Sequence, residues 1–383
     1  MFIHKIKIVN SRNIDVCRVY VVSGNIIWPR FILLLLFAAA LLPFYSCSDE
    51  DEDIEPDYYL TEPLCKDTFT PKPYTYSVVG FYPSWKHDVL PISSIKWDKI
   101  TRVVYAFAFP NLDGSLNVSY LTKMDELVSA AHAQGVEVYF SIGGAEDSDN
   151  FPIIATNEKT RSKFIKAVRH YIFAHCLDGV DIDWEVWTGA QSNTIVTEES
   201  SALITILKEL QTELTPFNRK VSIDLYASDW GGKHYFDDVY IYADHLQVMA
   251  YDFSGWWTGP CPHSSYEDAI GSGSDEGSTG LAYWVNYRGW PKEKILLGVP
   301  FYGRDFDDNG KGISYRTIVS QFPEAPEYDQ INNIYYNGKE TIRRKATYIV
   351  ENQFSGIMMW ELAHDAPEGS ISLLNVIDEV INP

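Results

Sequence analysis

Eight short apolar runs, rich in β-branched and aromatic residues, recur between Tyr76 and the C-terminus, and this repetition constrains the fold more than any other feature. They span roughly 77–82, 101–109, 136–142, 179–185, 221–226, 245–251, 295–302 and 355–361. Most are separated by amphipathic stretches (121–134, 158–175, 198–214, and shorter ones at 340–352 and 370–380) whose apolar residues return every three or four positions. Strands alternating with helices imply parallel pairing through right-handed crossovers. Eight such units predict an α/β fold of the (β/α)8 TIM-barrel type, for which ~250 residues is typical. A doubly wound open sheet is the alternative, but no glycine-rich phosphate loop follows the first run. Residues 305–339 break the pattern: they are rich in Gly, Asn, Asp and Pro, with a short apolar piece at 313–319. They read as a short insertion between strands seven and eight, over the barrel mouth.

The segment before Tyr76 reads differently. Residues 31–42 form an uncharged apolar run behind Arg30, short for a membrane span and suited to a signal-peptide core. Phe44-Tyr45-Ser46-Cys47 then resembles a bacterial lipoprotein signal in which Cys47 becomes lipidated. The acidic run that follows (48–53) resembles the surface-export signal of lipoproteins in Bacteroides-like bacteria. The expected organisation is a signal peptide over 1–46, an acidic, proline-rich linker over 47–75 and a catalytic barrel over 76–383. The expected location is the outer membrane, lipid-anchored and facing outward. Five cysteines are present: Cys17 leaves with the signal and Cys47 takes lipid. Cys65, Cys176 and Cys261 remain, far apart and odd in number, so no disulfide is expected, and no zinc spacing is present. The net charge of -21 repels phosphate backbones and argues against a nucleic-acid partner.

The chemistry concentrates in the fourth run, Asp178-Gly179-Val180-Asp181-Ile182-Asp183-Trp184-Glu185. Residues two apart on a strand share a face, with steps of ~6.6 Å. Asp181, Asp183 and Glu185 therefore point into the barrel, and Val180, Ile182 and Trp184 point out beneath the helices. Three carboxyls in line cannot all ionise freely, so burial and mutual repulsion hold at least one proton near neutral pH. A carboxylic acid kept protonated in this way is ready to donate to a glycosidic oxygen. A metal site or a structural ion cluster is the competing reading. No His or Cys accompanies the acids, and three interior carboxylates are costly without a function. No metal or other cofactor is expected.

These residues resemble the signature of glycoside hydrolase family 18, the chitinase family, on the fourth barrel strand. Further motifs follow in order: Ser141-Ile142-Gly143-Gly144 on the third strand, Met249-Ala250-Tyr251-Asp252 on the sixth, Gly298–Arg304 on the seventh and Gly356–Glu361 on the eighth. The resemblance implies a retaining hydrolase of β-1,4-linked N-acetylglucosamine, in chitin or chitooligosaccharides. The nucleophile would be the substrate's own acetamido oxygen, an exception to the two-carboxylate rule. Glu185 would be the acid and then the base. Asp183 would orient the acetamido group and share a proton with Asp181, and Tyr251 would bond the acetamido oxygen. Trp360 would floor the reacting sugar, with Met249 and Asp252 in the same subsite and Arg304 as a further sugar contact. Tyr82, Trp85, Trp256 and Trp257 sit just past strand ends and are candidate stacking platforms. The short insertion suggests a shallow groove. Competing functions are an endo-β-N-acetylglucosaminidase on N-glycans, a non-catalytic glycan-binding lipoprotein, and peptidoglycan processing. The Trp at 184 favours the chitinase reading over the first of these, and the acid at 185 favours catalysis over binding alone.

Overall fold

A computed structural model describes residues 59–65, 69–192, 194–367 and 369–383. Eight parallel strands appear where the apolar runs lie: β1 (Ser77–Pro83), β2 (Arg102–Pro110), β3 (Glu137–Gly143), β4 (Gly179–Asp183), β5 (Lys220–Tyr226), β6 (His245–Met249), β7 (Ile295–Pro300) and β8 (Gly356–Trp360). Each pairs with its sequence neighbour, and β1 pairs with both β2 and β8, so the sheet closes on itself. This closure makes it a (β/α)8 barrel and removes the open-sheet alternative.

Helices cover the outside. The long ones are α1 (Met124–His132), α2 (Glu158–His175), α3 (Thr197–Leu214), α4 (Lys339–Glu351) and α5 (Leu373–Ile381). Asn157 caps α2, its side chain accepting from the amides of Lys159 and Thr160. The outward-facing side chains of the strands pack against these helices in one continuous apolar layer that includes Val180, Ile182 and Trp184. A smaller inner cluster of Val79, Phe81, Val104, Ala106, Tyr139, Leu296 and Met358 fills part of the barrel. At the end where the strands begin, fully buried Arg102 closes the interior. Its guanidinium bonds Glu137 at 2.8 Å and lies over the Tyr139 ring.

The insertion after β7 is more ordered than its composition suggests. Tyr302–Asp305, Lys311–Ser314, Gln330–Ile331 and Ile334–Tyr335 form a four-stranded antiparallel sheet. The apolar piece within it includes part of a short helix, Tyr315–Gln321.

Part of the segment expected to be a linker packs on the barrel wall. The Leu60 amide donates to His170, the Leu64 amide to the Phe173 carbonyl, and the Lys72 amide to the Gly135 carbonyl. The Phe69 ring stacks on His132 at 3.9 Å. Cys65 is joined to Cys176 by a disulfide, which corrects the expectation of none. The two are separated by 111 residues, and their Cα atoms are 5.8 Å apart because the segment lies along the end of α2. Cys176 caps that helix in the left-handed conformation at φ 61°. Cys261 is free. Cys17, Cys47 and the signal segment lie outside the described residues.

Candidate active site

The site is built on β4. Register pairing sets Asp181 beside Ser141 of β3 and Ser222 of β5. The Ser141 and Ser222 hydroxyls donate to its two oxygens at 2.7 and 2.6 Å, and the Gln247 amide adds a third bond at 2.9 Å. Burial raises the Asp181 pKa, and hydrogen bonds from Asp224, Ser222 and Ser141 offset part of that rise. Asp183 sits one step nearer the mouth, buried. Burial and the neighbouring carboxyls of Glu185 and Asp181 push it well above the usual carboxylate range. Glu185 lies past the strand end, half-buried at the mouth. Burial, helped by Asp252 opposite, lifts it to about 7. The three acids stand in line on one face of β4 and its C-terminal end, each with its pKa raised by burial.

Gly143 and Gly144 end β3 at φ 117° and 92°, in the region that favours glycine. A Cβ on Gly143 would come within 2.1 Å of the Asp183 carbonyl oxygen, and the Gly144 amide donates to that same oxygen at 2.9 Å. The turn thus lets β3 press directly against β4.

Two cavities meet at Glu185. One, of about 640 Å³, is lined by Asp183, Trp360, Phe107, Trp85 and Tyr120 among others. The second, of about 730 Å³, is lined by Tyr226, Trp230, Trp256 and Trp257. Glu185, Met249, Tyr251 and Asp252 belong to both. Trp360 stacks on Phe107 at 5.6 Å, forming an aromatic floor on one side of the acid. Trp85, Trp256 and Trp257 expose half or more of their surface along the cleft. The Tyr251 pKa is driven well up by burial, Tyr302 and the nearby carboxyls, so its hydroxyl keeps its proton and can donate.

Two candidates are placed differently from expectation. Tyr82 is fully buried on the outer side of β1, where its hydroxyl donates to the Leu90 carbonyl at 2.6 Å. Strand alternation is the reason: Val79 and Phe81 take the inner face, and Phe81 meets Trp360. Arg304 bonds Asp252, from Nε at 2.9 Å and from Nη2 at 2.5 Å. It orients a cleft residue and is not among the residues that line the two cavities. Nδ1 of His263 lies 3.3 Å from the same carboxylate, and Nε2 lies 3.2 Å from the Tyr302 carbonyl. Burial works to raise Asp252, but His263 and Arg304 outweigh it and keep the group below its ordinary value. It stays charged opposite Glu185.

A family model described as glycosyl hydrolases family 18 matches residues 77–365. The chain belongs to glycosyl hydrolase family 18. Among solved structures, it resembles a chitinase from Bacteroides thetaiotaomicron, with TM-score 0.71 and 26% identity over 80% of this chain and 96% of the other. A family 18 chitinase from the chitin utilization locus of Flavobacterium johnsoniae gives TM-score 0.69 and 28% identity, over 81% and 94%. A chitinase-like effector from Moniliophthora roreri is 29% identical over 266 residues, 66% of this chain. The chain spans 64% of that relative's length.

The family 18 motifs account for the acids on β4 and for Ser141, but not for the other residues that hold them. The Ser148 hydroxyl accepts from the amides of Glu185 and Val186 at 3.1 and 3.0 Å. The Tyr226 hydroxyl donates to the Glu185 carbonyl at 2.8 Å, and Tyr235 donates to the Trp184 carbonyl at 3.2 Å. Asp224 joins the buried acids from β5. A signal for two of these was present: Ser222, Asp224 and Tyr226 place polar groups at every second position of an otherwise apolar strand, the same alternation that marks β4. Ser148 left none, because a loop serine carries no periodicity.

Proposed function

We propose that this protein is a retaining glycosidase that cleaves β-1,4-linked N-acetylglucosamine chains by substrate assistance. The observation that carries the reading is Glu185, a carboxyl with its pKa raised to about 7, standing where two aromatic-lined cavities meet. Its carboxyl donates a proton to the glycosidic oxygen as the C1–O bond breaks. Asp183 lies one residue pair deeper on the same strand face and does not straddle the sugar ring. It cannot form the ~5 Å pair that flanks the bond in an ordinary retaining enzyme. The acetamido carbonyl oxygen therefore attacks C1 and closes an oxazolinium ring. Asp183 accepts the acetamido N–H and balances the positive charge, while the Tyr251 hydroxyl donates to the acetamido oxygen and holds it in line. Glu185, now a carboxylate, takes a proton from water, and the resulting attack at C1 restores the β configuration.

Asp183 and Trp360 line only the first of the two cavities. The sugar that keeps the new reducing end binds there, and the leaving chain runs past Trp230, Trp256 and Trp257. A groove continuing on both sides of the acid supports cutting within a chain of N-acetylglucosamine. The solved family 18 relatives named as chitinases support the same substrate class. NMR of the first products from chitotetraose tests the reading: the β-anomer is expected, and deacetylated oligomers are left uncut. Release of glycan from a high-mannose glycoprotein in place of chitotetraose cleavage would move the assignment to the N-glycan reading. Tight binding without turnover would move it to the binding-protein reading.

We also propose that the chain is lipid-anchored through Cys47 at the cell envelope. The disulfide supports an extracytoplasmic location, since cytosolic thiols are normally kept reduced. Cys47→Ser is expected to shift the protein from the membrane fraction to the soluble one. A variant that still sediments with membranes would assign the anchoring to the apolar run instead.

A further inference from the structure

Asp224 is a fourth carboxyl in the barrel interior, with 1% of its surface exposed, and the reaction outlined above does not use it. The β4–β5 register runs Asp181 beside Ser222 and Ile182 beside Ile223. Continued by one residue, it sets Asp224 next to Asp183. A single amide nitrogen, Nε2 of Gln247, bonds Oδ1 of Asp181 at 2.9 Å and Oδ1 of Asp224 at 3.2 Å. Two carboxyls gathered on one nitrogen in a buried site cannot both carry charge.

The donors decide which one does. Asp181 has Ser141 and Ser222 in addition to Gln247, so its charge is well solvated by the protein. Asp224 has Gln247 and a hydrogen bond shared with Asp181 itself, one that lowers the Asp181 pKa and raises that of Asp224. Around it, Oδ2 of Asp224, Oδ1 of Asp183 and Oε1 of Gln247 are all buried with no hydrogen-bond partner. All three are acceptors if the acids are ionised. A cluster of orphaned acceptors is short of hydrogens, and a proton on Asp224 turns one of them into a donor. The titratable groups that bear on Asp224 are Asp181, Asp183 and Glu185 from β4. Tyr235 and Tyr251 feel its charge in turn. None of these is a cation.

We propose that Asp224 is a positioning residue that stays a neutral carboxylic acid through the catalytic cycle, confining the negative charge of the interior to Asp181 and Asp183. It donates its single proton as a hydrogen bond to Asp181 and does not give it up. Asp183 is then free to be the charged partner of the acetamido group while the proton count of the array stays fixed. Burial and the acids on β4 hold the Asp224 pKa well above the usual range, in keeping with that state.

The proposal rests on the glycosidase reading for its role in turnover but not for its protonation state, and the two are tested separately. Asp224→Asn keeps a donor of the same shape and should retain kcat on chitotetraose within about threefold, whereas Asp224→Leu removes the donor and should lose tenfold or more. Thermal unfolding, which needs no substrate, reports the proton. An acid whose pKa is raised on folding costs stability once the pH passes its unfolded value, near 4. The Tm of Asp224→Asn should therefore gain on wild type progressively as the pH rises from about 4 to 8. An Asn variant as impaired as the Leu variant, or a Tm difference that does not change with pH, would overturn the proposal. Absence of wild-type turnover on chitotetraose would count against the glycosidase reading and leave the unfolding test intact.

Discussion

The hydroxyl of Ser148, in the loop after β3, accepts hydrogen bonds from the backbone amide of Glu185 and from that of the next residue. Glu185 is thus held through its main chain, which leaves its carboxyl free at the mouth. In Ser148→Ala these two amides lose their acceptor, at a cost of ~1–3 kcal/mol for each group left unsatisfied and buried. Small displacements of a catalytic group can cost on the order of 100-fold in rate. We expect kcat to fall by ten- to a hundredfold, with a lower Tm and little change in KM. Steady-state kinetics with calorimetry checks this, and an unchanged kcat would remove Ser148 from the machinery.

Glu185→Gln fills the same space and cannot donate a proton. General acid–base groups typically contribute ~10²–10⁴-fold, and the variant should lose turnover on that scale while keeping its affinity for chitotetraose. Binding by calorimetry beside turnover separates the two. Activity above a tenth of wild type would refute the assignment.

The pH dependence follows from the same carboxyl. In the proposed mechanism Glu185 acts as an acid first, so kcat/KM is expected to be sustained while it is protonated and to fall as the pH rises through about 7. Burial is the main cause of the raised value, and the charge of Asp252 adds to it. Neutralising that charge in Asp252→Asn should lower the Glu185 pKa and move the alkaline limb to lower pH. A limb that stays in place or moves upward would show that Asp252 does not face Glu185 as a charge.

The Cys65–Cys176 bridge closes a long loop, and bridges of that kind typically contribute ~2–4 kcal/mol by restricting the unfolded chain. The paired substitution of both cysteines by serine should lower Tm by several degrees. Cys176 lies just before the start of β4, at the end of the barrel opposite the mouth, so activity at 25 °C should be unaffected. A loss of turnover without a loss of Tm would contradict this separation.

Much of the fold was legible because period-two and period-3.6 patterns are local. Eight β-rich runs and the helices between them can be counted without knowing which residues touch, and eight units of that kind have few ways to close. The acids of β4 were legible for the same reason: alternation alone sends Asp181, Asp183 and Glu185 inward. Alternation also applies to Tyr82, whose outward position follows from Phe81 facing in, although a position at the strand's end suggested the cleft. What the sequence could not carry was any relation between residues far apart along it. The disulfide depends on a segment docking against the end of α2. Ser148 finds Glu185 across a turn that only Gly143 and Gly144 allow. Asp224 becomes the neighbour of Asp183 through the register of two strands, and Arg304 meets Asp252 across two others. The sequence determined which faces are polar and which acids point inward. The tertiary structure decided which polar groups meet, because hydrogen bonds and charge coupling act over a few ångströms of space and do not depend on separation along the chain.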